Sequence, residues 1–388
     1  MNEIELNDLS KARLLEECEK LNLEKYKSKN KKELIELIKI ELENNNAINE
    51  VILPSNRRYE KEEPYLDSFL KTIRNKNGTY KRLCLSPLRY AGGKSKAIGL
   101  ILQNLPKLRE KKIVSPFFGG GSVELCFSQM LGINVIGYDI FNMLANFWHV
   151  LINHKEEFIK ELKKFNITQE EFTYNRHVLL NYWNKIKPDD LDYKTQKKIE
   201  LKEEDNDKLD NNIINQAVYY YYNMTLSYGP MFLGWPSSVE INKDKFDRRI
   251  DKLEKLKLVN LKVHCSTFEK ILEKHHEDFL FLDPPYYLDG DSKMFKGMYP
   301  NCNFAIHHNN FDHIKLAEIL KKHKGGFLMT YNNCSAVKKL YDDCKFEYPE
   351  WQYTYGQGET RIGKNREQAT KDNIKDSHEI IIIKWPEY

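Results

Sequence analysis

The chain has 388 residues, of which 41% are hydrophobic and 30% are charged, and its formal net charge is +4. At roughly 150 residues per domain this length predicts two or three folding units, and the composition excludes a largely disordered chain. No apolar run reaches the ~18 residues that a membrane-spanning helix needs, and the opening MNEIELNDLS lacks a secretory pattern, so we expect neither membrane insertion nor secretion.

Seven cysteines are scattered along the chain, and none belongs to a CxxC pair. Their odd number and spacing argue against a disulfide framework and against a zinc site. Reduced thiols are typical of intracellular proteins. We therefore expect no metal centre, and a location in the cytoplasm or wherever the target of the protein resides.

The first 43 residues predict two short helices, because leucines and isoleucines recur at helical spacing on both sides of a basic turn. The polar stretch at 44–79 is expected to be a linker. The helix pair resembles a SAP module, a small unit that binds DNA in other proteins. An amphipathic helix pair used for packing or for contact with a partner gives the same pattern.

A basic stripe follows, with twelve Lys or Arg and one acid between Lys71 and Lys112. Such a stripe can neutralise phosphates. It can equally be a solvated face, because charge alone does not distinguish these readings.

Short β-branched or aromatic runs then predict six strands, separated by helical patterns. The runs lie at 112–117, 134–140, 261–266, 278–283, 325–331 and 378–385. Between the early and the late strands lies a helix-rich block at 150–258, in which 186–212 is charged and expected to be a surface loop. Apolar strands of this kind indicate an α/β sheet covered on both faces, here interrupted by a helical insertion.

A glycine-rich turn follows the first strand and opens a helix, with the sequence Phe117-Phe118-Gly119-Gly120-Gly121-Ser122. Glycines let the backbone approach a ligand closely, although a glycine triplet also occurs in ordinary tight turns. Asp139, at the end of the next strand, can accept hydrogen bonds from ribose hydroxyls. Because the turn is not GxGxxG, we expect a nucleoside cofactor without phosphates.

A second motif, Asp283-Pro284-Pro285-Tyr286, directly follows an apolar strand. In an open α/β sheet, ligands bind outside the carboxyl ends of the strands. The prolines stiffen the backbone, so the Pro284 carbonyl and the Asp283 carboxylate form a fixed pair of acceptors beside the Tyr286 ring. These groups suit a planar base with an exocyclic amino group. A rigid turn with a capping aspartate and a core tyrosine is the alternative.

Four segments now support a resemblance to Dam-type (alpha-group) S-adenosylmethionine-dependent DNA adenine methyltransferases. They are PLRYAGGK (87–94), SPFFGGGSVEL (115–125), GYDIFNML (137–144) and FLDPPY (281–286). The resemblance covers about residues 80–388 and implies a Rossmann-like sheet. It places the catalytic domain at 80–149 and 259–388 and a helical target-recognition insertion at 150–258.

The resemblance also implies roles for individual residues. The catalytic residues would be Asp283, Pro284, Pro285 and Tyr286, which receive the adenine. The cofactor, S-adenosyl-L-methionine, would be bound by Tyr90, Gly92, Gly93, Lys94, Phe117, Gly119, Gly121, Asp139, Phe268 and Asp283. Phe268 would contact the cofactor's adenine, where Thr267 replaces the aspartate that the family often carries.

The implied activity is site-specific methylation of the 6-amino group of adenine in double-stranded DNA, by base flipping and direct in-line transfer. It further implies a restriction-modification setting with a possible separate restriction endonuclease. The oligomeric state is not predicted.

Two segments are candidates for DNA contact. In the family, the region of residues 228–235 lies in a hairpin that enters the DNA, and Met231, Phe232 or Leu233 could wedge the base stack. A buried hydrophobic loop is the alternative reading. The late loop at 355–366 carries Arg361, Lys364 and Arg366 between glycines, which suits contact with phosphates or bases.

Two competing functions stay open at this point. The same chemistry could act on cytosine, on RNA or on protein glutamine, although cytosine enzymes more often carry SPPY and glutamine enzymes NPPY. A catalytically silent DNA-binding protein could also keep the fold.

Overall fold

The computed structural model describes most of the chain in separate stretches. They are residues 9–20, 29–38, 63–76, 78–83, 85–90, 92–108, 110–184, 205, 208–229, 232–287, 311–349 and 379–387. The chain divides into two compact units, Met1–Thr72 and Ile73–Tyr388.

The first unit contains the two predicted N-terminal helices, α1 (Lys11–Lys20) and α2 (31–38). Their apolar faces form a small core of Leu14, Cys18, Leu34, Ile35 and Ile38. Helix α2 begins with a capping box, in which Asn30 Oδ1 accepts from the Glu33 N–H and Glu33 Oε2 accepts from the Asn30 N–H. The pattern therefore gives a packed helix pair, and the resemblance to a SAP module stays a prediction.

The stretch expected to be a linker contains a third helix, α3 (Glu63–Thr72). Tyr65, Leu66, Phe69 and Leu70 recur at helical spacing there, directly after Pro64. The surrounding polar composition masks this short pattern.

The second unit is built on a seven-stranded sheet in the order β3-β2-β1-β4-β5-β7-β6. Neighbours among β1 to β5 are parallel, whereas β7 is antiparallel to β5 and β6. The strands are β1 (Lys112–Ser115), β2 (Asn134–Asp139), β3 (Leu261–Cys265), β4 (Leu280–Leu282), β5 (Phe327–Asn332), β6 (Lys345–Glu347) and β7 (Glu379–Lys384). The six predicted strands are confirmed. The unpredicted β6 is a three-residue strand, too short to give a pattern.

The helices of this unit follow the strands or form the insertion. They are α4 (Ile98–Gln103), α5 (Ser122–Leu125, continued by a π-helical turn at Cys126–Met130), α6 (Asn142–Asn153), α7 (Lys155–Leu162), α8 (Gln169–Asn184), α9 (Ile213–Leu226), α10 (Lys243–Lys255), α11 (Phe268–Lys274), α12 (His313–Lys321) and α13 (Ser335–Leu340). In the described part of the chain, no helix is long and apolar enough to cross a membrane.

The insertion is packed firmly by aromatic contacts. Tyr219 to Tyr222 of α9 are all buried, and Tyr221 stacks on Phe147 of α6 with ring centroids 5.5 Å apart. Ring stacking of this kind adds about 0.5–1.5 kcal/mol to the stabilisation from burial alone. The tyrosine run thus contributes to the core.

The strand order reverses between β1 and β4, and this reversal positions the candidate site. At such a switch point the connections leave the sheet in opposite directions, so a crevice opens at the carboxyl ends of the strands. The glycine turn follows β1 and the Asp-Pro-Pro-Tyr motif follows β4. Both motifs therefore meet at one crevice.

Gly137 in β2 offers a test of the packing beneath this crevice. A Cβ atom there would lie 2.1 Å from Cδ2 of Phe118, and Phe118 is itself held edge-on against Trp148. We expect Gly137→Ala to lower the free energy of unfolding by about 1–3 kcal/mol, the usual cost of overpacking. Urea titration measures it, with Asn134→Ala at the exposed start of the same strand as control. Equal stabilities of both variants and the wild type would contradict the packing described.

Candidate active site at the carboxyl ends of the strands

The glycine turn and the segment that contains Tyr90 come from separate parts of the sequence, and the structure packs them against each other. Gly119 and Gly121 adopt positive φ angles of 50° and 64°. A Cβ on Gly120 would lie 2.6 Å from Cβ of Tyr90, so the turn can approach Tyr90 only as glycine. Trp148 Nε1 donates to the Gly119 carbonyl at 3.0 Å and fixes the turn from below.

Asp139 lies at the end of β2, directly beside this turn. Its Oδ2 accepts from the Gly119 N–H at 3.0 Å, and its Oδ1 accepts from the Phe141 N–H at 2.9 Å. Burial raises the pKa of Asp139, although these amide hydrogen bonds oppose the effect. The two oxygens offer four lone pairs, more than the Gly119, Phe141 and Ile140 amides occupy, so the carboxylate is fixed and can still accept a hydrogen bond from a ligand.

An apolar wall borders the same end of the crevice. The rings of Phe117, Phe268 and Phe311 lie with their centroids 5.2 to 6.1 Å apart. Ile140, next to Asp139, is 49% exposed. The pattern predicted Phe117 and Phe268 but not Phe311, which stands alone before α12 without a motif. Carboxylate, glycine turn and aromatic wall together suit a nucleoside.

Asp283 is the centre of the second motif, and two side chains hold its carboxylate. Lys94 Nζ lies 2.8 Å from both Oδ1 and Oδ2, and the Thr330 hydroxyl donates to Oδ1 at 2.7 Å. Lys94 also donates to the Gly92 carbonyl at 3.0 Å. A residue predicted for the cofactor is therefore ion-paired with a residue predicted for the base.

This ion pair is largely buried, since the Lys94 side chain is 4% exposed and that of Asp283 is 24% exposed. Burial lowers the pKa of Lys94, but the charges of Asp283 and Glu379 and the Asp283 hydrogen bond, with a smaller contribution from Glu124, outweigh burial and raise it. Lys94 thus stays protonated.

Tyr286 lies deeper than the sequence suggested. Its ring is 6% exposed and stacks on Tyr331, with centroids 6.0 Å apart and planes at 23°. The Lys94 ammonium lies 5.1 Å from the Tyr286 centroid. In this state the ring is covered by the protein's own side chains, and a base would have to displace some of that cover.

Strand β5 braces the motif from behind. Asn332 Oδ1 accepts from the Tyr287 N–H at 2.9 Å, and its Nδ2 donates to the Tyr287 carbonyl at 2.8 Å. Thr330, two residues earlier on the same face of β5, holds Asp283. The sequence analysis missed both. Their signal was polar side chains at alternate positions at the end of an apolar strand.

Two buried glutamates flank the ion pair, and the sequence analysis missed them as well. Burial raises the pKa of Glu124 to about 8, although the Ser115 hydroxyl donates to its Oε1 at 2.7 Å. Burial likewise raises the pKa of Glu379 to about 8, while the Lys94 charge opposes it. Burial thus favours the protonated form of both carboxyls, which reduces the negative charge in the interior near Lys94.

The predicted DNA contacts are only partly within the described residues. Phe232 and Leu233 are 5% and 4% exposed, and the Phe232 ring packs against Phe141 and Tyr220. Either would have to leave this packing to wedge a base stack, so that role stays a prediction. Met231, Arg361, Lys364 and Arg366 lie outside the described residues.

Two comparisons with known proteins bear on this site. A profile of the family described as "D12 class N6 adenine-specific DNA methyltransferase" matches residues 90–356. The chain is also similar to the Type II methyltransferase M.MjaIII of Methanocaldococcus jannaschii, with 28% identity over 271 residues, or 66% of this chain and 87% of that protein.

The buried glutamates predict a specific pH dependence of stability. Folding raises the pKa of Glu124 from 4.5 to about 8, so the folded state binds the proton more tightly than the unfolded state. Stability is therefore lost as pH rises from about 4.5 to about 8, by on the order of 2–5 kcal/mol for this group. In Glu124→Gln we expect a smaller loss in urea unfolding between pH 5 and 8. The exposed Asp247→Asn is the control, and a wild-type pH profile in Glu124→Gln would contradict the assignment.

Proposed function

The chain belongs to the family of D12 class N6 adenine-specific DNA methyltransferases, and we propose that it transfers a methyl group from S-adenosyl-L-methionine to the 6-amino group of adenine at a recognised site in double-stranded DNA. The observation that carries this proposal is the Asp283 carboxylate, fixed at the carboxyl end of β4 and beside the glycine turn. The similarity to a Type II methyltransferase supports a restriction-modification role, and a separate restriction endonuclease as partner is part of the proposal.

The residues present fit the proposed cofactor. The positive φ angles of Gly119 and Gly121 hold the glycine turn close to Tyr90, and Asp139 presents acceptors suited to ribose hydroxyls beside the half-exposed Ile140. Tyr90, Gly92, Gly93 and Lys94 would border its methionine end, Phe117, Gly119 and Gly121 its sulfonium, and Phe268 its adenine. When bound, S-adenosylmethionine supplies an electrophilic methyl group.

Asp283 and the Pro284 carbonyl would receive the target adenine. The lone pair of its amino nitrogen is delocalised into the ring, so the free base is a poor nucleophile. Lys94 and Thr330 occupy both lone pairs of Oδ1 and one of Oδ2, which leaves one acceptor position on Asp283. Two N–H groups bound to fixed acceptors favour a pyramidal nitrogen, and this is catalysis by positioning and electrostatics.

Asp283 would also take the proton that the reaction releases. The methyl group would form its bond to the nitrogen as its bond to the donor's sulfur breaks, with that electron pair left on sulfur. The nitrogen would then carry a positive charge, which is relieved when one of its protons passes to the carboxylate. The Asp283 side chain is 24% exposed, so that proton can pass on to solvent. Pro285 contributes rigidity, because its ring fixes the backbone between acceptor and aromatic residue.

Lys94 makes the contacts expected of the adenine amino group while DNA is absent. Its ammonium donates to Asp283 and lies beside the Tyr286 ring. We infer that entry of the base moves the ammonium away from that ring while its charge stays near Asp283. The lysine thereby keeps the carboxylate from being buried without a partner between turnovers.

A base inside a duplex cannot reach this crevice, so the adenine must be flipped out. Stacking on Tyr286 would return about 1–3 kcal/mol of the unstacking cost. Arg361, Lys364 and Arg366 are proposed to bind phosphates or base edges, and Met231, Phe232 or Leu233 to fill the space that the base leaves.

The role of Asp283 is tested by substitution. Asp283→Ala and Asp283→Asn should lower methyl transfer at least about 100-fold, the usual loss when one preorganised hydrogen-bonding group is removed. Titration calorimetry should still show S-adenosylmethionine binding. Because the substitution leaves Lys94 buried without its partner, Asp283→Asn combined with Lys94→Met is the matched control for stability. Wild-type rates in these variants would remove Asp283 from the mechanism.

The substrate is tested by identifying the product. DNA methylated in cells that express the chain should yield N6-methyladenine after digestion to nucleosides and mass analysis. Long-read sequencing should place the modification in one short sequence context. Methylcytosine as the product would contradict the proposal, and so would unmodified DNA from a protein that binds S-adenosylmethionine.

A further inference from the structure

Arg89 stands directly before Tyr90, yet its side chain reaches into the insertion. Its Nη1 donates to the Thr225 carbonyl at 3.3 Å and to the Ser227 carbonyl at 3.2 Å. The same nitrogen lies 3.7 Å from Glu240 Oε1, and both side chains are largely buried. One side chain thus joins the segment that borders the cofactor site to three points of the insertion.

Ser227 starts a hairpin whose described residues are 227–229 and 232–236, and Thr225 lies two residues before it. Ser227 pairs with Pro236, the Tyr228 N–H donates to the Trp235 carbonyl at 2.7 Å, and the Ser237 N–H donates to the Leu226 carbonyl at 3.0 Å. The Thr225 carbonyl belongs to the last turn of α9, where carbonyls lack helical partners and a cation is favourable. Arg89 therefore grips the hairpin where it leaves the helix.

The hairpin is held as one body from its other side. Arg176 Nε donates to the carbonyls of Leu233 and Gly234 at 2.9 and 3.1 Å, and its guanidinium lies 4.2 Å from the Trp235 ring centroid. Tyr228 is 70% exposed. Because the base of the hairpin is held firmly and its Tyr228 ring is exposed, a displacement of the hairpin passes to Arg89, which contacts that base.

Glu240 completes the grip. It pairs with Arg249 as well as with Arg89, and Arg249 also donates to the Thr225 carbonyl at 3.4 Å. Burial acts to raise the pKa of Glu240, but the Arg249 hydrogen bond and the Arg89 charge outweigh it, so the pKa is lowered and the network stays ionised.

On the other side of Arg89, Tyr90 lies against the glycine turn. A Cβ on Gly119 would meet the Tyr90 ring at 3.0 Å, and one on Gly120 would lie 2.6 Å from the Tyr90 Cβ. A shift of the hairpin base that displaces the Arg89 side chain therefore also moves Tyr90 relative to the glycine turn.

We propose that Arg89 is a positioning residue that couples the hairpin to the cofactor site, so that seating of the hairpin on the recognised DNA tightens the binding of S-adenosylmethionine. The proposal rests on the proposed function, because it needs both ligands. Such coupling is reciprocal for binding equilibria, and it is measured as the factor by which one ligand changes the affinity for the other.

The experiment is calorimetric titration of S-adenosylmethionine into the full chain, alone and with a duplex that carries the sequence found by long-read sequencing. In the wild type we expect the duplex to tighten binding at least about fivefold. Arg89→Ala should bring that factor close to one and leave affinity without DNA within about twofold. Arg89→Lys, which keeps the charge but has a shorter side chain without the planar guanidinium, should restore only part of the factor.

Arg74→Ala is the matched control, because Arg74 belongs to the same basic stripe but donates only locally, to the Gly78 carbonyl. It should keep the wild-type factor. If Arg89→Ala does not fold, Arg89→Lys and Glu240→Gln decide the question, and both should at least halve the factor.

Two results would overturn the coupling: a wild-type factor of one, or a full factor in folded Arg89 and Glu240 variants. A wild-type chain that binds no S-adenosylmethionine under either condition would instead overturn the proposed function. The two failures are thus distinguishable.

Discussion

The ion pair between Lys94 and Asp283 organises the catalytic unit. It joins two motifs 189 residues apart in the sequence and lies where the strand order reverses. Removing water from two charges is expensive, and loss of one partner of such a pair typically costs about 3–5 kcal/mol. The pair persists because Gly92 and Thr330 satisfy further hydrogen bonds on either side of it. Stability and the proposed chemistry therefore depend on the same contact.

The surroundings of this pair explain how the Asp283 carboxylate stays available as a hydrogen-bond acceptor in a largely buried crevice. Burial favours the neutral form of Glu124 and Glu379, because it raises the pKa of each to about 8. Lys94 and Asp283 thus remain the main charges at the centre, and Asp283 keeps one lone pair for a substrate. The Tyr331 ring packs on the Tyr286 ring, and the Asn332 amide fixes the backbone of Tyr287. A preorganised site of this kind needs little rearrangement when charge develops.

The sequence predicted the parts of this site that have local signals. Six strands, the glycine turn, Asp139 and the Asp-Pro-Pro-Tyr motif each follow from period, composition or spacing. Thr330 and Asn332 gave only a weak local signal, which is polar side chains at alternate positions at the end of an apolar strand, and Glu379 gave none. All three reach the motif only through the register of β4, β5 and β7. The pairing of Lys94 with Asp283 and the reach of Arg89 into the insertion are likewise long-range contacts that single-segment patterns do not contain.

A structure of the full chain with a duplex carrying its target adenine and a non-reactive analogue of S-adenosylmethionine tests the central claim most directly. We expect the adenine amino nitrogen within hydrogen-bonding distance of Asp283 and of the Pro284 carbonyl, with the Lys94 ammonium displaced from the Tyr286 ring. A flipped base held elsewhere, with Lys94 still beside that ring, would contradict the account.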